Sequence, residues 1–209
     1  MRDNHHISAI IFDLGNVLVD FDHTIAAKKI SAFATKDPQE IFNLFFDSRL
    51  TGFFEEGRIS PQEFFSGVQE ALHLGIEYEQ FLPIWNEIFF LSEKNRMVYN
   101  LAKFLKKRYK TALLSNINIL HFEYLKRNFP VFDAFHHIIT SCESGARKPH
   151  HSIYEKTLQA LETLPENVFY TDDRPELVEG ACRLGVRGFT FQGAEQLKED
   201  LLASGVNIN

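Results

Sequence analysis

Asp13 closes a short apolar run, Ile7-Ser8-Ala9-Ile10-Ile11-Phe12, and is followed by Leu14-Gly15-Asn16. Other polar groups stand at the ends of similar runs. Ser115 and Asn116 follow Lys110-Thr111-Ala112-Leu113-Leu114, and Asp172 and Asp173 follow Asn167-Val168-Phe169-Tyr170-Thr171. Lys148 sits in the loop segment Gly145-Ala146-Arg147-Lys148-Pro149. Two or three carboxylates from separate strand ends make a hard-oxygen site suited to Mg²⁺, which keeps several waters and takes substrate phosphate. The cation offsets repulsion between an anionic nucleophile and an anionic phosphate. A carboxylate can attack phosphorus and form an aspartyl-phosphate that water then hydrolyses. A hydroxyl, backbone amides and a lysine would hold the phosphoryl oxygens and stabilise the transition state.

These groups meet only if the chain gathers its strand ends. The run to Phe12 reads as a strand buried on both faces. Val17 to Phe21 predicts a short extended piece or a hairpin. From Thr24 to Phe90 the apolar residues fall at helical spacing, as in Phe64, Phe65, Val68, Ala71 and Leu72. Ser60-Pro61-Gln62-Glu63 marks a helix start, with Ser at the cap, Pro at the first position and Glu three after the cap. This segment predicts three or four helices. Beyond Ser92, helices over Val98–Arg108, Tyr124–Phe129, Ile153–Leu161 and Leu177–Leu184 alternate with strands at Lys110–Leu114, His137–Thr140, Asn167–Tyr170 and Val186–Phe191. Alternation predicts an α/β fold: a Rossmann-like, mainly parallel sheet with helices on both faces and sites at the carboxyl ends of its strands. Residues 1–19 and 93–209 then form a discontinuous core, with 20–92 an inserted helical cap.

In order along the chain, Ile11-Phe12-Asp13-Leu14-Gly15-Asn16-Val17-Leu18, Leu114-Ser115-Asn116, Arg147-Lys148-Pro149 and Phe169-Tyr170-Thr171-Asp172-Asp173 resemble the four motifs of the haloacid dehalogenase-like hydrolase superfamily. Gly15-Asn16 and the late Asp pair are similar to the branch of bacterial sugar-1-phosphate phosphatases, itself similar to the phosphatase domain of soluble epoxide hydrolases. Glu55-Glu56-Gly57-Arg58-Ile59-Ser60 is similar to a segment of their helical caps. The resemblance implies Asp13 as nucleophile and metal ligand, and Gly15 as a ligand through its backbone carbonyl. It implies Ser115 and the backbone amide of Asn116 as phosphate binders, and Lys148 as the bridge between nucleophile and phosphate. One of Asp172 and Asp173 would ligate Mg²⁺ directly, and the spacing to Glu179-Gly180-Ala181 favours Asp173.

Gly15 departs from the pattern. Most phosphatases of the superfamily carry there a second Asp, which protonates the leaving alcohol and then activates water. General acid catalysis is typically worth about 10²–10⁴-fold. The departure implies a substrate with a better leaving group, such as an anomeric or acyl phosphate, or a proton supplied from Asp20, Asp22 or His23 nearby. A Gly15→Asp variant is expected to gain most on poor leaving groups.

Composition narrows the classes. The 209 residues carry a net charge of −6 and a pI of about 5.8, against a generic nucleic-acid binder. Lys103 to Lys110 reads as the solvated side of a helix. Cys142 and Cys182 are too far apart for a metal motif and read as two buried free thiols. No run is long enough for a signal peptide or a membrane span, His5-His6 reads as an N-terminal extension, and cytoplasmic residence is expected. The expected partner is a small-molecule phosphate ester, with no nucleic acid or membrane, for a monomer or homodimer. Phe53, Phe54, Glu55 and Arg58 are the candidates for substrate contact from the cap. Two alternatives stand beside a Mg²⁺-dependent phosphatase. One is a metal-independent 2-haloacid dehalogenase of the same fold. The other is a non-catalytic binding protein, suggested by Gly15.

Overall fold

The computed structural model describes residues 6–208; His5 of the expected N-terminal extension lies outside them. Five strands form one parallel sheet: β1 (Ala9–Phe12), β4 (Lys110–Ser115), β5 (His137–Thr140), β6 (Val168–Asp172) and β7 (Arg187–Thr190). Their order is β5-β4-β1-β6-β7, so β1 is central and the sheet grows outward on both sides of it. All four pairings are parallel, with Phe12 opposite Leu113 on one side and Thr171 on the other. Register therefore brings Asp13, Ser115 and Asp172 to the same edge. The last turns of β4 and β6 extend past the expected ends, so Ser115 and Asp172 are strand residues, still paired with Thr140 and Thr190.

Burial of β1 on both faces follows its composition. Ile10 and Phe12 pack with α6 (Glu93–Lys106), α7 (Ile119–Asn128) and α11 (Ala194–Ala203) through Val98, Leu105, Leu125 and Leu201. Ala9 and Ile11 face the opposite layer, α9 (His151–Leu161) and α10 (Pro175–Cys182), through Ile153, Tyr154, Leu161 and Ala181. Each large aliphatic or aromatic side chain so buried is worth about 1.5–3 kcal/mol. α11 was not read from the sequence, and neither was the single turn α8 (Ser141–Ser144).

Residues 23–86 hold five helices among the described residues, more than the three or four expected: α1 (His23–Ile30), α2 (Pro38–Asp47), α3 (Arg49–Glu55), α4 (Pro61–Leu72) and α5 (Tyr78–Asn86). They close around a separate core that includes Phe45, Phe54, Phe64, Phe81 and Trp85. Ser60 and Glu63 cap α4 reciprocally as the sequence implies, and Asp37 with Glu40 does the same for α2. A strand pair joins the two parts. β2 (Asp20–Phe21) pairs antiparallel with β3 (Phe89–Phe90), so Phe21 finds a distant partner instead of a local hairpin. Gly57 sits at φ +65°, and a Cβ there would stand 2.2 Å from the Cys142 carbonyl oxygen, so the α3–α4 turn lies directly on α8.

The thiols differ from expectation. Both are free, but Cys142 is half-buried and Cys182 is exposed. No helix among the described residues is long and apolar enough to cross a membrane.

Candidate active site

Asp13 leaves β1 with its amide donating to the Thr171 carbonyl, which continues the β1–β6 ladder by one residue. The chain then turns tightly. Asn16 takes a left-handed conformation (φ 56°), its amide donates to the Val19 carbonyl, and Leu18 and Val19 donate back to the Leu14 carbonyl. Asn tolerates this conformation better than most residues. The turn aims the Asn16 side chain at Asp173, whose Oδ2 accepts from Nδ2 at 2.9 Å.

Lys148 lies at the centre. Its Nζ donates to Asp13 Oδ1 (2.7 Å), Asp172 Oδ2 (2.5 Å) and the Leu114 carbonyl (3.0 Å), which uses all three protons. Asn116 fixes the lysine by its backbone. Its Oδ1 accepts from the Lys148 amide at 2.8 Å and its Nδ2 donates to the Lys148 carbonyl at 2.9 Å. This clamp is a role of the Asn116 side chain that the sequence did not suggest. Burial opposes charge on Lys148, but the two carboxylates outweigh it and hold the ammonium above its ordinary range.

Asp13, Asp172 and Asp173 each place a carboxylate oxygen within 4.8 Å of the others. One lysine against three carboxylates leaves two negative charges uncompensated. Burial pushes the Asp13 carboxyl up, to about 7; Lys148 opposes this and Asp172 adds to it. Burial likewise raises Asp173, against the Asn16 hydrogen bond. A crowded set of hard oxygens with a charge deficit of two fits a divalent cation such as Mg²⁺. The two late carboxylates are not equivalent. Asp172 is fully buried, with Oδ2 accepting from Lys148 and the Tyr170 hydroxyl and Oδ1 from the Arg174 amide. Asp173 is half-buried and lines the cavity above the cluster.

That cavity measures about 520 Å³. Asp13, Gly15, Ser115, Asn116, Lys148 and Asp173 form its floor. Its opposite wall comes from the inserted helices and the β2–β3 ribbon: Phe21, His23, Phe46, Glu55, Trp85 and Phe89. Of the four expected cap contacts only Glu55 lines it. Phe54 is buried in the helical core, Phe53 lies under the guanidinium groups of Arg49 and Arg58, and Arg58 pairs with Glu56. Helical periodicity does not say which apolar face looks inward, so the sequence could not separate these from Phe46 or Trp85.

Two links bind the halves across the cavity. Arg147 donates to Glu55 at 2.9 Å and lies 3.5 Å from Glu56. Gly52 allows this, since a Cβ there would meet Arg147 Nη2 at 3.2 Å. His121 on α7 stacks on Trp85 at 4.6 Å and bonds its carbonyl through Nε2, while Nδ1 meets the Asn118 amide group. The network assigns a neutral ring that donates from Nε2, and burial holds His121 down, to about 3.

The place of the missing acid is filled. A Cβ on Gly15 would stand 2.8 Å from Cε1 of Phe21 and 3.8 Å from Asp13 Oδ2. An Asp placed at position 15 would therefore press on the Phe21 ring. Of the nearby acids, Asp20 is held by Lys94 (2.7 Å) and Asn95 (3.1 Å), and Asp22 caps α1. His23 alone of the three lines the cavity.

The haloacid dehalogenase-like hydrolase family matches this chain over residues 7–185, and the chain belongs to that family. D-ribitol-5-phosphate phosphatase of Bacteroides thetaiotaomicron is 22% identical over 93% of this chain and 97% of its own length. Sesquiterpene phosphatase of Aspergillus oryzae is 25% identical over 86% of this chain and 87% of its own. A haloacid dehalogenase-family enzyme of Bacteroides thetaiotaomicron, solved with magnesium and inorganic phosphate, superimposes with a TM-score of 0.78 at 26% identity, over 89% of this chain and 94% of that one.

Proposed function

We propose that this chain is a Mg²⁺-dependent phosphatase of small phosphorylated metabolites that works through an aspartyl-phosphate on Asp13. The convergence of three carboxylates and one lysine at one end of a cavity, with Asp13, Lys148 and Asp173 lining it, carries the reading. Phosphatases among the relatives support the reaction class.

Asp13 is the nucleophile, held toward the cavity by Lys148. Ser115 and the Asn116 backbone amide hold the phosphoryl oxygens, and Lys148 joins them by giving up one of its three present bonds. Asp13, the Gly15 carbonyl and Asp173 hold Mg²⁺, and Asp172 supports from behind, since its oxygens are engaged elsewhere. When bound, the cation supplies the positive charge that lets a carboxylate approach a phosphate. Residues 20–92 act as a cap domain on a core of 1–19 and 93–209, excluding water during attack and selecting the leaving group.

The leaving group is the finer point. The Phe21 ring crowds the place of an acid at position 15, which supports a substrate whose leaving oxygen needs little proton help. Sugar phosphates fit, foremost hexose 1-phosphates with their anomeric oxygen. The wall combines aromatic faces with Glu55 and Asn118, which suits a small sugar with apolar CH faces and polar hydroxyls. A phosphatase panel with Mg²⁺ tests the reading, with Asp13→Asn as control. Turnover of hexose 1-phosphates above hexose 6-phosphates is expected. No turnover of any sugar phosphate, acyl phosphate or p-nitrophenyl phosphate would sink it.

A further inference from the structure

We infer that Asn16 is a positioning residue of the Mg²⁺ site and that Lys94, which lies outside the four motifs, holds Asn16 in that role. The inference rests on the phosphatase reading and extends it from the residues that would touch the cation to those that aim them.

Three polar groups of Asn16 are engaged, each by a different partner. Its amide donates to the Val19 carbonyl at 2.8 Å, which fixes the planar peptide that carries the Gly15 carbonyl oxygen. Its Nδ2 donates to Asp173 Oδ2 at 2.9 Å, tying the loop after β1 to the loop after β6. Its own carbonyl accepts from Lys94 Nζ at 2.7 Å. One residue therefore sets both the Gly15 carbonyl and Asp173, two of the groups assigned to the cation. The kind of donor matters as well. Asp172 is held by the ammonium of Lys148, which offsets its charge, whereas Asp173 is held by a neutral amide. A neutral donor orients a carboxylate and leaves its charge for a cation. Asp173 Oδ1 takes no hydrogen bond among the described residues, and Asp173 lines the cavity.

Lys94 is placed to hold this loop and nothing else in the site. It does not line the cavity, so its charge is not offered to the phosphate. Besides the Asn16 carbonyl, its Nζ donates to Asp20 Oδ1 at 2.7 Å. Asn95 beside it donates to the same Asp20 oxygen and to the Val17 carbonyl, at 3.1 and 3.2 Å. Asp20 begins β2, where the chain enters the helical part, and Lys94 lies in the first turn of α6, just after the chain leaves it. The lysine thus fastens residue 16, in its left-handed conformation, to both crossings.

Melting temperature followed against Mg²⁺ concentration, from an EDTA baseline, gives apo stability and Mg²⁺ affinity together. Removing a group that hydrogen-bonds a metal ligand typically costs about 10–100-fold in affinity. Asn16→Gly accepts the left-handed backbone without strain, and Asn16→Ser is too short to reach Asp173. Both are expected to weaken Mg²⁺ binding by at least about tenfold, and whichever melts cooperatively in EDTA supplies the answer. Lys94→Met, a change at a side chain 34% exposed, should weaken Mg²⁺ binding too. Its effect should shrink in the Asn16→Gly background, because Lys94 acts through Asn16. A lowered EDTA baseline with an unchanged Mg²⁺ dissociation constant would make Asn16 merely structural and overturn its role. A Lys94→Met effect that adds in full to that of Asn16→Gly would overturn the role of Lys94. A wild type whose melting does not respond to Mg²⁺ overturns the metal-dependent reading itself, a distinct result.

Discussion

At the residue scale, the site is a set of mutual constraints around Lys148. The lysine pairs with Asp13 and Asp172 at once, and removing one partner of a buried ion pair typically costs about 3–5 kcal/mol. Lys148→Met is expected to lose that order of stability in chemical denaturation and to lose turnover. Tyr170→Phe removes only the hydroxyl that donates to Asp172. A hydrogen bond to a charged group contributes about 1.5–3 kcal/mol, so this variant should unfold earlier and show altered Mg²⁺ dependence, yet keep its fold. Gly15→Asp alone should be destabilised by about 1–3 kcal/mol from overpacking against Phe21 and gain no activity. Paired with Phe21→Ala it should recover stability and widen its range toward poor leaving groups, as read by kcat/KM on alkyl phosphates. Asp13, Ser115 and the Asp172-Asp173 pair were legible because each stands at the end of an apolar run, and Lys148 because its loop resembles a family motif. Phe21 and Tyr170 were not, since an aromatic residue in such a run looks like any core side chain until its neighbours are known.

At the element scale, the strands of the sheet were readable from their β-branched and aromatic runs, and the inserted segment from its helical spacing. The β2–β3 ribbon was not, because its two-residue strands pair across almost seventy residues and leave no local period. α11 escaped for a related reason: its apolar positions are few, with Leu197 and Leu201 the main buried pair. Caps were legible to the residue, and Ser60→Ala is expected to lower stability by about 1 kcal/mol in thermal denaturation. The joint between α3 and α8 is stricter. Gly57→Ala meets both a left-handed backbone and the Cys142 carbonyl, so it should destabilise more than the Ser60 change and lower activity by displacing Glu55.

At the scale of the whole molecule, two layers of contact hold the helical part over the sheet edge: Arg147 with Glu55 and Glu56, and His121 with Trp85. The second is sensitive to acid. His121 has a folded pKa below its unfolded one, so the unfolded state binds more protons under about pH 6.5. Its contribution is complete above that pH and is lost as pH falls toward about 3, at up to about 1.4 kcal/mol per pH unit. Denaturant midpoints between pH 6.5 and 4 should fall less steeply in His121→Gln than in wild type. The layer architecture was legible from alternation alone, but the face each helix turns to the cavity depends on packing between distant segments, which no local pattern encodes. Only Glu55 of the expected cap contacts reached the cavity for that reason.

All of these scales meet in Asp13, and the most direct test is to trap its covalent state. Protein mixed with Mg²⁺ and p-nitrophenyl phosphate, quenched in acid and mapped by peptide mass spectrometry, should carry one phosphoryl group on Asp13. The label and the turnover should vanish with EDTA or Asp13→Asn. Turnover that survives either treatment, or a phosphoryl group found on another residue, would contradict the account.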